Sequence, residues 1–317
     1  MISPKHRIFD RTSYYHLSSR TYGDEPLIGD RDKEFLQKLM VDAAIFTHVR
    51  VITYAILPDR IHLLVEVPPI HEEVTDEQLV ERYRALYPVP TQPQPLTPEQ
   101  LAEVLKENGE HGKKMRAHLM RRQHNPSMFM KSLKQRFTSW FNDEYVRYGP
   151  VWGNRYGSVL VEDDPWPLQV VAAYLDLAPV RDGLVKKPGD YAYSGYGQAK
   201  AGNPVAIDGY TPLGEFSDYE LLLSESDSPQ AKALDINRER LGAILSAGTV
   251  EAPINVALRC NVRYFTDGMM IGSPDFIEEQ VKSFPIRTKK ERKPHPMIGA
   301  DWKGLCVGTG LKQEIFS

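Results

Sequence analysis

Residues 51–67 read Val51-Ile-Thr-Tyr-Ala-Ile-Leu-Pro-Asp-Arg-Ile-His-Leu-Leu-Val-Glu-Val67 and contain two apolar, β-branched runs that meet at Pro58-Asp59. Because proline cannot donate to a strand ladder and Pro-Asp favours a turn, this pattern predicts two strands joined tightly. Alternation in the second strand places four residues on one face: Arg60, His62, Leu64 and Glu66. A histidine between charged neighbours is a candidate functional residue. The alternative is a half-buried histidine satisfied by Glu66 or by a backbone group.

The length and composition are those of a globular protein with a full core. The chain has 317 residues, of which 41% are hydrophobic and 26% charged, and its net charge is −3 at pH 7. Its apolar runs fall short of the roughly 20 residues of a membrane span. The first seven residues lack the apolar core of a signal peptide, so we expect a cytoplasmic protein with no membrane contact. Cys260 and Cys306 lack metal-site spacing, which excludes a zinc finger.

Charge is distributed unevenly along the chain. Residues 72–110 carry nine acidic residues against three basic ones and are rich in proline, which predicts an insertion that forms a surface element or a partner-binding arm. Residues 111–142 carry no acidic residue and eight basic ones: Lys113, Lys114, Arg116, Arg121, Arg122, Lys131, Lys134 and Arg136. Such a run predicts a polyanionic partner, and the alternative is a solvated helix face.

Hydrophobic periodicity predicts the order strand, helix, strand, strand, helix, strand, helix over residues 13–177. The fold class expected from this order is α+β, an antiparallel sheet of about four strands with helices on one face. A mainly helical extension follows from about residue 201. On the last helix of the core, Tyr174 lies at the edge of the packed face. A tyrosine there is either a packing residue or a residue with a chemical role.

Five blocks in register resemble the REP-associated tyrosine transposases, a family of single-tyrosine HUH enzymes. They are Tyr15-His-Leu-Ser-Ser-Arg20; Tyr54-Ala-Ile-Leu-Pro-Asp-Arg-Ile-His-Leu-Leu64; Lys134-Gln-Arg-Phe-Thr138 with Trp152-Gly-Asn-Arg-Tyr-Gly-Ser-Val-Leu-Val-Glu162; Tyr174-Leu-Asp-Leu-Ala-Pro-Val-Arg-Asp-Gly-Leu-Val185; and Asp190-Tyr-Ala-Tyr-Ser-Gly-Tyr196. The resemblance implies a ferredoxin-like, RRM-like core in residues 1–70 and 111–200. Residues 71–110 would then be an insertion and residues 201–317 a C-terminal extension.

The resemblance also implies a function, the nicking and joining of single-stranded DNA in transposition. Tyr174 would attack a phosphodiester to form a covalent 5′-phosphotyrosine, and His62 would help to hold Mg²⁺ or Mn²⁺. The implied partner is single-stranded or hairpin DNA, and the implied assembly is a homodimer. Arg155 then joins the eight basic residues above as a predicted DNA contact.

Two positions depart from the family pattern. Arg60 stands where the family has its first histidine, and Ala178 stands where it has a polar amide on the face of Tyr174. At an effective dielectric near 20, a unit charge and a divalent cation about 4 Å apart repel by ~8 kcal/mol. Metal binding is therefore expected to be weak or absent unless a substitute ligand completes the site. The candidate substitutes are His16, Glu66 and Asp176.

Two hypotheses follow from these departures. In the first, Arg60 contacts the scissile phosphate in place of the metal and Tyr174 still cleaves DNA. In the second, the protein is a catalytically impaired or domesticated homologue that binds hairpin or single-stranded DNA without cutting it. An RNA-binding module is a third class, but the strands lack the interleaved aromatic residues of such sheets.

Overall fold

The computed structural model describes residues 8, 10–70, 74–91, 94–107, 109–153, 155–225, 231–232, 238–248, 250–283, 293–308 and 315–316. Its strands are β1 (Ser13–Arg20), β2 (Arg50–Ile56), β3 (Arg60–Val67), β4 (Gly157–Val161), β5 (Met270–Gly272), β6 (His295–Pro296) and β7 (Cys306–Val307). They form one sheet in the order β2-β3-β1-β4-β5-β7-β6. Neighbouring strands are antiparallel, except that β4 and β5 are parallel.

Helices account for most of the remaining described chain. They are α1 (Asp30–Thr47), α2 (Asp76–Leu86), α3 (Pro98–Lys106), α4 (Glu110–Met120), α5 (Pro126–Glu144), α6 (Pro165–Asp176), α7 (Ala178–Arg181), α8 (Gly195–Lys200), α9 (Pro204–Gly209), α10 (Phe216–Leu223), α11 (Arg238–Ser246), α12 (Ile254–Ala257), α13 (Tyr264–Asp267) and α14 (Pro274–Ser283). Within the described ranges, no helix is both long and apolar enough to span a bilayer. The first seven residues, on which the cytoplasmic expectation rests, lie outside those ranges.

The β2–β3 hairpin has the predicted turn. The Leu57 amide donates to the Arg60 carbonyl at 2.8 Å, which closes the chain around Pro58 and Asp59. Strand β3 pairs with β2 on one side and with β1 on the other, and His62 lies opposite Ser18 in the β1 ladder. His62 therefore occupies an inner strand, where ladders on both sides fix its backbone.

The α+β class and the mainly antiparallel sheet are confirmed, and helices cover both faces of the sheet. Tyr15, Leu17 and Leu63 point into a core shared with α1 and α5. Tyr14 and Leu64 point the other way, into a core shared with α6 and the C-terminal part of the chain. The expectation of helices on one face thus describes α1 and α5, whereas α6 and Tyr174 lie on the second face. An apolar helix such as α6 must bury its surface, and the open face of the sheet supplies the partner.

The acidic segment at 71–110 contains α2 and α3, and the sequence pattern predicts a short helix at both places. Each begins with a capping box, in which the threonine at the cap and the glutamine three residues later satisfy each other's backbone amides. The segment was expected to be a surface element or an arm, but it also contributes to the core. Its buried side chains include Leu79, Tyr83, Leu101 and Leu105. Consequently α2, a part of the acidic segment, packs against α1.

The C-terminal part was expected to be mainly helical, and it also extends the sheet. Strands β5, β7 and β6 continue the sheet beyond β4, with Leu160 opposite Met270 at the junction. Cys260 and Cys306 are both buried and not bonded to each other. Helix α13 packs against β4, which brings the C-terminal part next to the strand that carries His16.

Candidate functional site

Tyr174 and His62 meet at one cavity of about 520 Å³. Helix α6 is fixed at its start by Asp164, whose side chain accepts a hydrogen bond from the Trp166 amide at 3.0 Å. The helix then crosses β2 and β3, so that the Tyr174 ring lies 6.3 Å from the His62 ring, edge-on. The structure places these two residues as the sequence predicted, and their chemical roles stay predictions.

A hydrogen-bonded histidine pair underlies the site. His16 Nδ1 lies 2.7 Å from the Phe265 carbonyl oxygen, and His16 Nε2 lies 3.0 Å from His62 Nδ1. A carbonyl oxygen only accepts, so His16 Nδ1 donates and its Nε2 is the acceptor for the Nδ1–H of His62. This series of hydrogen bonds leaves His62 Nε2 with a lone pair. Among the residues that the structure describes, no group donates a hydrogen bond to it.

Both histidines are held neutral by their surroundings. Burial lowers the pKa of the His16 imidazole to about 4, against the opposing effect of its bond to the Phe265 carbonyl. Burial also lowers the pKa of His62 well below 6.5, and the nearby His16 and Arg60 add to that effect. The lone pair on His62 Nε2 is therefore available at neutral pH.

We expect this burial to make stability depend on pH. Between pH 6.5 and about 4, an unfolded His16 binds a proton that the folded one does not, so the free energy of unfolding falls as the pH falls. His16→Asn keeps a donor for the Phe265 carbonyl but removes the titration. A plot of the free energy of unfolding against pH should therefore be shallower for His16→Asn than for the wild type, by up to about 1.4 kcal/mol per pH unit.

The measurement is urea unfolding of the wild type and His16→Asn at pH 7, 6 and 5. His111→Asn, at an exposed position of α4, is the matched control. Identical slopes for the wild type and His16→Asn would show that His16 is not the buried neutral group described above.

Two residues that the sequence did not single out enclose the Tyr174 ring. Phe265 stacks on one side with ring centroids 4.4 Å apart, and the Arg181 guanidinium lies 3.9 Å from the ring centroid. Arg181 is buried and donates to the carbonyls of Tyr174 and Leu258 at 2.7 and 3.0 Å. Arg181 follows Tyr174 by seven residues, which is about two helical turns, so the sequence spacing could have indicated that the two side chains lie on the same face. Phe265 has no local signal, because it is distant in the sequence.

Arg60 lines the cavity between two carboxylates. Its guanidinium donates to both Asp182 oxygens at 2.6 and 2.8 Å and to Asp59 at 2.7 Å. Arg20 and the exposed Arg155 also line the cavity. The neighbouring carboxylates offset much of the Arg60 charge, so a phosphate in the cavity would meet Arg155 as the less neutralised cation.

The residues around His62 do not fit a divalent metal site. His16 is near His62, but both of its ring nitrogens are engaged. Glu66 pairs with Arg50 at 3.2 Å, and Ala178 is fully buried and carries no donor. Neither Glu66 nor Asp176 lines the cavity that contains His62, so neither is placed to substitute for a missing metal ligand. In the ranges that the structure describes, no three His, Cys, Asp or Glu residues are grouped to hold a metal.

Asp176 belongs to a separate buried cluster. Thr53 and Tyr210 each donate to its carboxylate at 2.7 Å, and Tyr219 donates as well. Burial raises the pKa of this carboxyl to about 6, and these hydrogen bonds act in the opposite direction. The cluster ties α6 to β2 and to the chain around α10.

The nine predicted DNA contacts lie in more than one place. Lys113, Lys114 and Arg121 are exposed on and after α4, whereas Arg116 pairs with Asp76. Lys134 packs over the Trp152 ring, and burial lowers its pKa to about 8. Arg155 lines the Tyr174 cavity, and the last three line a different cleft: Arg122, Lys131 and Arg136.

Comparison with known proteins gives a distant structural likeness. No protein-family model matches the sequence, and no curated protein matches it. Among solved structures, the chain is similar to one described as "Structure of the REP associates tyrosine transposase bound to a REP hairpin". The TM-score is 0.36 at 11% sequence identity, over 65% of this chain and 90% of that one. The two folds are distantly related at most.

Proposed function

We propose that the protein binds single-stranded or hairpin DNA and nicks and rejoins it through a covalent link to Tyr174. The observation that carries the proposal is the convergence of Tyr174 and the unpaired His62 Nε2 at one cavity, whose lining has three arginines, including Arg155, and two aspartates. A nucleophile beside a base that is itself oriented by a third group is a recurring arrangement in covalent catalysis. Here the carbonyl of Phe265, acting through His16, orients the base.

The residues of the cavity can account for each bond and proton in the proposed reaction. The Tyr174 oxygen forms a bond to phosphorus, and the bond from phosphorus to the 3′ oxygen breaks. The tyrosine proton passes to His62 Nε2 and from there to the leaving 3′ oxygen, which becomes a hydroxyl. Arg155 and Arg60 offset charge on the phosphate, and the buried Arg181 stabilises negative charge that develops on the tyrosine ring. Rejoining reverses each transfer.

We expect this reaction to proceed without a divalent ion, because the donors around His62 do not fit one. Wild-type protein incubated with 5′- and 3′-labelled DNA hairpins from its own genomic flanks should form a covalent protein–DNA band. The band should form equally with Mg²⁺, with Mn²⁺ and with EDTA. A band that requires Mg²⁺ or Mn²⁺ would contradict the metal-free step and indicate a ligand set other than the one described above.

A second candidate function is DNA binding without cleavage. It is favoured by the burial of Tyr174, whose exposed fraction is 4%, and by the carboxylates that engage Arg60. The same experiment separates the two. Retarded DNA with no covalent product in any lane would support the second candidate, and no retardation at all would overturn the DNA assignment.

A homodimer is a further part of the proposal, and it comes from the sequence resemblance alone. A location in the cytoplasm is another, and it comes from the expectation stated in the sequence analysis.

A further inference from the structure

A second cleft lies on the other side of the sheet, between α5 and the chain that follows α2. Its volume is about 650 Å³. Positions three and four apart on α5 form one wall, which includes Lys131, Gln135, Arg136, Ser139 and Trp140. The opposite wall is formed by Tyr87, Thr91 and Gln94, which belong to the segment at 71–110. We refer to this space as the α5 cleft.

Among the described residues, the cations of the α5 cleft are not held in ion pairs, although Asp42 is close enough to Arg136 to interact with it electrostatically. Arg122, Lys131 and Arg136 make no ion pair with any residue that the structure describes. Arg116 on the neighbouring helix, by contrast, is paired with Asp76. The lining also contains the exposed Asp143, one turn beyond Trp140. The cleft therefore presents net positive charge along most of its length.

Aromatic rings accompany these cations. Trp140 stacks on Phe35 with ring centroids 4.0 Å apart and planes 16° apart, and both rings are half-buried at the cleft. The Arg136 guanidinium lies 5.0 Å from the Tyr87 ring centroid, which holds it in the cleft. Proteins that bind single-stranded DNA combine basic residues along the phosphate backbone with aromatic rings on which the bases stack.

We propose that the α5 cleft is a second DNA site, which holds a single-stranded segment. A base packs against Trp140, and phosphates contact Arg122, Lys131 and Arg136. The choice of DNA as ligand rests on the proposed function. Because α5 and Tyr174 lie on opposite faces of the sheet, this segment is distinct from the one at the Tyr174 cavity.

The test is fluorescence anisotropy with a labelled 12-nucleotide single strand and with a blunt hairpin that has no unpaired ends. Trp140→Ala should weaken single-strand binding by about fivefold or more, and Trp140→Phe by less, because phenylalanine retains a stacking face. Lys131→Ala should lower the slope of log affinity against log salt by about 0.7. Lys106→Ala is the matched control, since it removes one exposed charge outside the cleft.

Each outcome bears on the proposal separately from cleavage. Unchanged single-strand affinity in both Lys131→Ala and Trp140→Ala, with wild-type thermal unfolding, would overturn the α5 cleft as a DNA site. If Trp140→Ala lost as much affinity for the blunt hairpin as for the single strand, stacking of an unpaired base on Trp140 would be overturned. Weakened single-strand binding in Trp140→Ala supports the cleft even where the wild type forms no covalent product, in which case only the proposed cleavage fails.

Discussion

Tyr174→Phe is expected to abolish the covalent protein–DNA product, with a loss on the order of 10³-fold or more. The substitution removes only the oxygen that would bond to phosphorus. The stack on Phe265 and the contact with Arg181 are retained, because both involve the ring. Within the described residues the Tyr174 hydroxyl has no hydrogen-bond partner, so we expect little change in stability. DNA affinity should stay within about twofold, because the cations are untouched.

The measurement is a denaturing gel with the 3′- and 5′-labelled hairpins, run beside a retardation gel. Tyr22→Phe is the matched control, because Tyr22 is exposed next to residues of the same cavity. A covalent band that persists in Tyr174→Phe at wild-type intensity would identify a different nucleophile and overturn the proposed role.

Asp176→Ala is expected to lower the free energy of unfolding by roughly 3–5 kcal/mol. Thr53, Tyr210 and Tyr219 all donate to the Asp176 carboxylate inside the protein. A buried polar group left without a partner costs about 1–3 kcal/mol, and these costs are not additive. Asp176→Asn keeps an acceptor oxygen, so its loss should be about half as large.

The pH dependence of this effect has a definite sign. Because burial raises the pKa of Asp176 to about 6, the folded protein binds a proton between pH 3.8 and 6 that the unfolded chain does not. The part of the Asp176 contribution that is linked to protonation is therefore fully present below pH 3.8 and is lost as the pH rises through 6. The loss in Asp176→Ala should accordingly be larger at pH 5 than at pH 7. Urea unfolding at pH 5 and 7 measures both effects, with the exposed Asp218→Ala as the control. A loss below about 1 kcal/mol in Asp176→Ala would contradict the cluster.

Local pattern predicted those elements whose signals lie within a few residues. The sequence pattern predicts short helices at residues 76–86 and 98–107, and α2 and α3 match them within one residue. Alternation predicts both faces of β1 and β3. The predicted start of helix α5 differs slightly from the observed start. A serine just before an apolar stripe predicts a cap at Ser127, whereas Asn125 makes the capping bonds and Pro126 begins the helix.

Elementary spacing explains why two of the candidate substitute ligands, Glu66 and Asp176, lie away from His62. Asp176 follows Tyr174 by two residues, about 200° around the helix, so the two side chains point to different sides of α6. Glu66 shares a strand face with His62 but is four residues away, about 13 Å along the strand. Phe265 could not be found this way. Its contacts with His16 and Tyr174 join positions that no local periodicity relates.

The Phe265 carbonyl has a consequence for the order in which the protein is made. A ribosome adds residues from the amino terminus, so His16, His62 and Tyr174 have all left the exit tunnel before Phe265 is synthesised. Until then the histidine pair lacks the acceptor that sets its tautomers, and one side of Tyr174 is uncovered. A stop codon that falls after codon 174 and no later than codon 265 would therefore yield a polypeptide that contains every predicted catalytic residue and an unfinished site.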